Sequence, residues 1–215
     1  MDRETRDMLL ETAGRFFTEL SGKDVVNAVE KGVWPRDLWK EIEEMGLPLI
    51  AVPEAQEGAG GTLADLMALL RVAAEHAVPV PLAETALANL LIAAAGGRPA
   101  TGPSPLALGN LTLQSNRLSG KVERVPFAGV ADRFVSVVTA GGKSTLVVVS
   151  RDNAAIDNTP SHAGEPYGTV SFDGAVLEFS APSAVSADRA FELAALARAM
   201  QMAGAADKVL VTPTE

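Results

Sequence analysis

The sequence contains no cysteine. Disulfides, thiolate zinc sites, iron–sulfur clusters and cysteine nucleophiles are therefore excluded. A chain without thiols suits a reducing, cytoplasmic setting. Histidine is scarce, with only His76 and His162, and neither lies in an H-x-x-x-H or H-E-x-x-H spacing. No metal site is expected from them. Aromatic residues make up 5% of the chain, so the core must be built from Ala, Leu and Val. Long hydrophobic runs are missing as well. The longest nearly uncharged stretch, residues 77–97, is interrupted by Pro79, Pro81, Glu84 and Asn89, and it is too broken to cross a bilayer. The first twelve residues are charged where a signal peptide would be apolar. Basic charge is in deficit: 18 Lys and Arg face 27 Asp and Glu, for a net charge of -9 and a pI near 4.8. A nucleic-acid surface needs the opposite sign. No Gly-x-Ser-x-Gly elbow is present, so nothing points to serine hydrolase chemistry.

What is present is an ordinary soluble composition over 215 residues, 47% hydrophobic and 21% charged. The first hundred residues carry a helical period. Met8, Leu9, Ala13, Phe16, Phe17 and Leu20 recur at spacings of three and four. Pro35 suits the first turn of a second helix that buries Leu38, Trp39, Ile42 and Met45 and stops at Gly46. Thr62, with Asp65 three residues on, reads as the N-cap of a third helix that Pro79 ends. A fourth spans about Leu82 to Ala95, closed by Gly96-Gly97. Four helices with short joints predict a bundle.

The vocabulary changes after Arg98. A linker rich in proline, glycine and serine at residues 100–105 leads into short β-prone runs. These are Leu106–Leu113, Leu118–Val125, Arg133–Thr139, Thr145–Ser150, Thr169–Phe172 and Ala175–Phe179. Turn signals stand at Ser119-Gly120, Gly141-Gly142, Asp152-Asn153, Asp157-Asn158 and Asp173-Gly174. This pattern predicts an antiparallel barrel or sandwich. From Ser186 a helical period returns and runs to about Pro213. This last helix is alanine-rich and apolar over most of its circumference, and such a helix expects partners on several sides. Either it folds back onto the N-terminal bundle, or it awaits a neighbour supplied by further helices or another subunit.

Few motifs carry chemistry. Gly141-Gly142-Lys143-Ser144-Thr145 resembles the tail of a phosphate loop, but Val137 stands where the first glycine is needed and a strand-like Leu-Val-Val-Val follows. A hairpin turn explains it better. Glu57-Gly58-Ala59-Gly60-Gly61 follows no convincing strand, so it reads as a flexible lead into the Thr62 cap, with a ligand-facing loop as the alternative. His76 sits near a helix C-terminus, where a partly charged imidazole suits the dipole. His162 lies in a loop with Glu165. Glu41, Glu43 and Glu44 read as the solvated face of the second helix.

The order of these modules resembles the acyl-CoA dehydrogenase family, and several strings support the likeness. Leu38-Trp39-Lys40-Glu41-Ile42-Glu43-Glu44-Met45-Gly46 resembles an early "W..L.E.G" helix. Val52-Pro53-Glu54 with Glu57-Gly58-Ala59-Gly60-Gly61 resembles "VPEEYGGAG". Val78-Pro79-Val80-Pro81-Leu82-Ala83-Glu84-Thr85 matches a recurring "PVPLAET" string. Leu118-Ser119-Gly120-Lys121 and Ala131-Asp132-Arg133-Phe134 resemble the middle domain, and residues 195–209 the first long helix of the C-terminal domain. The resemblance implies an α+β multi-domain fold. An N-terminal α-helical bundle over residues 1–100 is followed by an antiparallel β-barrel domain over 101–183 and by the start of a truncated C-terminal helical domain over 184–215.

The resemblance also implies a function. The family oxidises the Cα–Cβ bond of an acyl-CoA thioester: a glutamate takes the α-proton and a hydride leaves for N5 of FAD. A carboxylate removes so weak an acid only when its pKa is raised and donors hold the thioester oxygen. The flavin accepts electrons that no side chain can take. Leu108, Arg124, Val125 and Pro126 fall where the family contacts the flavin, and are the cofactor-binding expectation. At this place the chain departs from the family pattern. The flavin loop "TEP.AGSD" should follow Leu108, but Gly109-Asn110-Leu111-Thr112 comes at once. The "WIT" string falls on Arg124-Val125-Pro126, and Pro126 has no backbone N–H to give. The family's catalytic glutamate lies in later helices, and no residue here is nominated for its role. The expectation is a chain inactive alone, part of a flavin-dependent enzyme and assembled as a homo-oligomer or as a heteromer with another acyl-CoA dehydrogenase subunit. The alternative is a non-catalytic subunit that lost its flavin loop.

Overall fold

The computed structural model describes residues 1–99, 101–159 and 165–211. It divides into two compact units. The helical unit comprises Met1–Ala83 together with the chain from Ala194, and the β unit comprises Glu84–Leu193. Among the described residues no helix is long and apolar enough to cross a membrane.

In the helical unit, α1 (Arg3–Leu20) is capped by Asp2, whose carboxylate accepts the Thr5 N–H at 2.8 Å. Ala13 and Phe17 form its buried stripe. A short helix α2 (Lys23–Glu30) follows. The helical period did not predict it. It has eight residues and no buried side chain, so its valines read as an irregular segment. Helix α3 (Arg36–Glu44) buries Leu38, Trp39 and Ile42, and the chain then turns at Gly46 with φ +70°. These match the expected second helix and its stop, except that Met45, expected in the buried side, is half-buried at the C-cap. Helix α4 (Leu63–Glu75) starts at the expected cap: Thr62 Oγ1 accepts from the Asp65 N–H, and Asp65 Oδ2 accepts from the Thr62 N–H at 2.7 Å.

The β unit opens on α5 (Leu82–Ala94), whose residues are buried nearly all round, Thr85 and Asn89 included. Thr85 Oγ1 accepts the Ser104 N–H at 3.1 Å. Seven strands follow: β1 (Leu111–Gln114), β2 (Arg117–Pro126), β3 (Arg133–Ala140), β4 (Lys143–Ser150), β5 (Ala155–Thr159), β6 (Tyr167–Val176) and β7 (Phe179–Pro182). They form two antiparallel sheets in the orders β1-β2-β6-β5 and β3-β4-β7. Neither sheet closes on itself, so the expected barrel is an open two-sheet arrangement. One core fills it. Leu118, Val122, Val125, Val170 and Phe172 of the first sheet pack with Phe134, Val138, Val147 and Val149 of the second. Phe134 and Phe172 meet edge to face at 6.0 Å.

Four strand expectations change, the first being Ser119-Gly120, which is not a turn but lies within β2, paired to β1. Leu106–Leu113 is not one strand: Leu106 makes an isolated parallel bridge to Val135, and only Leu111 onward joins a sheet. Proline at 103 and 105 forbids regular pairing there. Asp173-Gly174 does not separate two strands. The pairing of β6 with β2 jumps from Phe172 to Ala175, and Gly174 takes φ +60° inside a bulge. Asp157-Asn158 lies within β5, paired to β6. The Gly141-Gly142 turn does join β3 to β4, with both glycines at positive φ.

The last helix, α6 (Ala187–Val211), begins at Ser186, whose Oγ accepts the Arg189 N–H at 3.1 Å. Within the helical unit it packs one stripe, including Ala197 and Gly204, and pairs Asp207 with Arg71 of α4 at 2.6 Å. Its opposite side stays open: Met202 is 73% exposed, Val209 74% and Leu210 83%. The first alternative for this helix thus holds along one face. It folds back onto the N-terminal helices along that face, and along the other it is exposed among the described residues. His162 and Pro213 lie outside the described residues.

Candidate functional site

Of the four residues expected at the flavin, Arg124, Val125 and Pro126 are consecutive, and all four differ sharply in environment. Leu108 is half-buried and follows the fully buried Ala107, whose N–H bonds the Val135 carbonyl at 2.8 Å. Arg124 is exposed and adopts φ +56°. It occupies a bulge where two residues of β2, Glu123 and Arg124, face a single residue of β6. Val125 points into the β core at 1% exposure. Pro126 pairs with Tyr167 at the end of β2. The next donor, the Phe127 N–H, is already committed to the Pro166 carbonyl at 2.7 Å.

The turn after Leu108 is held tightly against β2. A β-carbon placed on Gly109 would come within 3.1 Å of Val122 Cγ2. Gly120, at φ +132° and paired to Phe172 beside the bulge of β6, would bring a β-carbon within 2.8 Å of the Asn110 carbonyl. The Leu111 N–H turns back to the Gly109 carbonyl at 3.0 Å, and β1 begins there. Sequence reasoning found the short connection but not the two glycines that clamp it. Their signal was legible only as a glycine on each side of the β1 turn.

The other motifs resolve as structural. In the glycine-rich loop every N–H from Gly58 to Gly61 donates to a nearby carbonyl: Pro53, Leu49, Val52 and Ile50 in turn, at 2.9 to 3.2 Å. No amide of this run is left to point at a phosphate, so the ligand-facing alternative gives way to a folded turn. His76 was expected to be partly charged. Instead burial, aided by nearby Lys208 and opposed by Glu75, holds its pKa below the ordinary value. Its Nδ1 lies 3.4 Å from Thr18 Oγ1 and its ring packs on Phe17. Asp65 is fully buried. Burial pushes its carboxyl up, but the Thr62 bonds, the Met1 amino group and Arg6 outweigh that and hold it below the usual range.

The helical unit carries one further feature. A groove of about 680 Å³ runs between α1, α4 and α6, lined by Leu10, Leu63, Met67, Val72, Leu196 and Met200. Arg71, also on its lining, is tied to Asp207 through both Nε and Nη2. The groove is apolar and merges with the open side of α6 at Leu196, which is 42% exposed.

Comparison with known proteins agrees with this geometry. Residues 3–98 match the family described as "Acyl-CoA dehydrogenase, N-terminal domain". The Mycobacterium tuberculosis protein "Acyl-CoA dehydrogenase FadE34" is 30% identical over 206 residues, covering 88% of this chain and 27% of that protein. "Acyl-CoA dehydrogenase IpdE2" from the same organism is 33% identical over 111 residues, covering 50% of this chain and 35% of that one. Among solved structures, the "Tcur3481-Tcur3483 steroid ACAD G363A variant" superposes with a TM-score of 0.84 at 25% identity, covering 96% of this chain and 64% of that one. The chain thus spans about a third of the curated relatives it matches.

Proposed function

We propose, from the premise that this chain belongs to the acyl-CoA dehydrogenase family, that it is one part of a flavin-dependent assembly that oxidises the Cα–Cβ bond of an acyl-CoA thioester. The observation that carries the reading is the shared fold over nearly the whole chain, at a TM-score of 0.84 to a structure named as a steroid acyl-CoA dehydrogenase. That name makes steroid side-chain thioesters the first substrates to try, with fatty acyl thioesters as the comparison. The proton acceptor and the electron acceptor are assigned to other parts of the assembly. No glutamate here is given the role of base, and the residues at the expected flavin edge do not fit a ring against them.

The chain's own contribution is structural. Its β unit supplies a rigid two-sheet body, and its helical unit supplies an apolar docking stripe. The open side of α6 supports this, because Met202 and Val209, seven residues apart on one helix face, are both apolar and exposed, and exposed apolar residues gathered on one face suit a covered surface. The partner is a second copy or another acyl-CoA dehydrogenase subunit. The same stripe supports the narrower reading of a non-catalytic subunit. The site of action is cytoplasmic in this reading, in keeping with the absence of cysteine.

The test is dye reduction with steroid and fatty acyl-CoA thioesters. The chain is assayed alone and after co-expression with a full-length acyl-CoA dehydrogenase. No turnover is expected from the chain alone, and turnover from a complex that retains it. Dye reduction by the purified chain alone would overturn the proposal.

A further inference from the structure

We infer that the β unit of this chain holds no flavin against Leu108 and Arg124 to Pro126, so that any flavin of the assembly is seated elsewhere. The inference rests on the proposed function, since only there is a flavin called for. A flat ring lying on a strand edge needs two things from the protein. It needs space between the covering loop and the strand, and it needs free donors along the strand for its polar rim.

Both are restricted here. The covering segment is a two-residue turn, Gly109-Asn110, pressed onto β2. Gly109 faces Val122 and the Asn110 carbonyl faces Gly120, each so closely that a single β-carbon would crowd it. Between the turn and β2 at these two glycines there is no ring-sized gap. At Pro126 and Phe127 the backbone donors are missing or spent. Pro126 has no N–H. The Phe127 N–H is bonded to the Pro166 carbonyl at 2.7 Å. The Val125 side chain is committed to the core. Arg124 stands exposed on a left-handed bulge. Breaking the Phe127 bond to free a donor would leave the Pro166 carbonyl without its partner.

The experiment uses the full 215-residue chain. The chain is incubated with excess FAD, passed through gel filtration and read for a visible flavin band. In parallel, hydrogen exchange by mass spectrometry is followed on peptides covering residues 106–127, with and without FAD. The expected result is no retained band and unchanged exchange in those peptides, with Phe127 protected in both samples. A retained band with exchange unchanged at 106–127 also supports the inference, because the flavin then sits elsewhere. Slowed exchange at Leu108, Asn110 or Arg124 on adding FAD would overturn it. Failure of the acyl-CoA assay described above would leave these readings untouched, so the two ideas fail separately.

Discussion

Gly204 of α6 lies directly on the backbone carbonyl of Arg71 in α4, close enough that any β-carbon there would run into it. The Arg71 side chain meanwhile closes on Asp207, one turn further along α6. One residue thus fixes both the depth and the rotation of the crossing: its carbonyl sets how near the helices come, and its guanidinium sets which face turns inward.

Gly204→Ala should therefore lift the end of α6 from α4. Overpacking of this kind costs about 1–3 kcal/mol. Thermal unfolding should show a lower midpoint, and limited trypsin digestion should cut sooner after Lys208. Arg71→Lys, which keeps charge but loses the two-pronged contact to Asp207, should give a smaller loss of the same kind.

The open side of α6 makes the opposite prediction. Leu196→Glu with Met202→Glu should leave the fold intact and raise solubility, since Met202 is 73% exposed and Leu196 42%. A surface change of this sort is worth within about 0.5 kcal/mol. Ala197→Glu, one position away from Leu196 but buried, should unfold the helical unit by placing an unpaired charge in its core. If the Leu196 and Met202 pair unfolds the chain as well, the stripe is not free.

The Thr62–Asp65 cap predicts a response to acid. The Asp65 carboxyl is held below its ordinary value of 3.8. A depressed carboxyl contributes stability that is present above 3.8 and lost as pH falls through the folded value. Asp65→Asn should cost about 1 kcal/mol at neutral pH and flatten this acid limb of the stability profile. Urea midpoints measured across acidic pH check it. A limb of unchanged slope in the variant would refute the assignment.

His76 predicts a separate window. Its folded pKa is lowered from 6.5, so the unfolded chain binds the proton more readily. Its contribution is full above 6.5 and declines as pH falls below that value. His76→Gln should remove that decline, read as the difference between the two stability profiles. Because Lys208 of α6 faces His76, the same variant should also steady the end of α6 toward trypsin at mildly acidic pH.

The edge of the β unit shows how far a sequence reading reaches. The short connection after Leu108 and the proline at 126 were legible as departures from a family pattern. Gly109, Gly120 and the commitment of the Phe127 amide were not. Each depends on a residue distant along the chain: Val122, the Asn110 carbonyl and Pro166 meet them only once β1, β2 and β6 are in register.

The sequence by itself determined the helix stops at Gly46 and Gly96, the Thr62 cap, the β3–β4 hairpin and the apolar character of α6. All of these are set by local chemistry: backbone freedom at glycine, a short side chain reaching its own N3 amide, and the spacing of apolar residues. Only the tertiary structure decided which side of α6 is covered, whether the two sheets close, and whether the Gly58–Gly61 amides stay free for a ligand. Those outcomes depend on which carbonyls and side chains arrive from elsewhere in the chain, and neither periodicity nor propensity encodes that arrival.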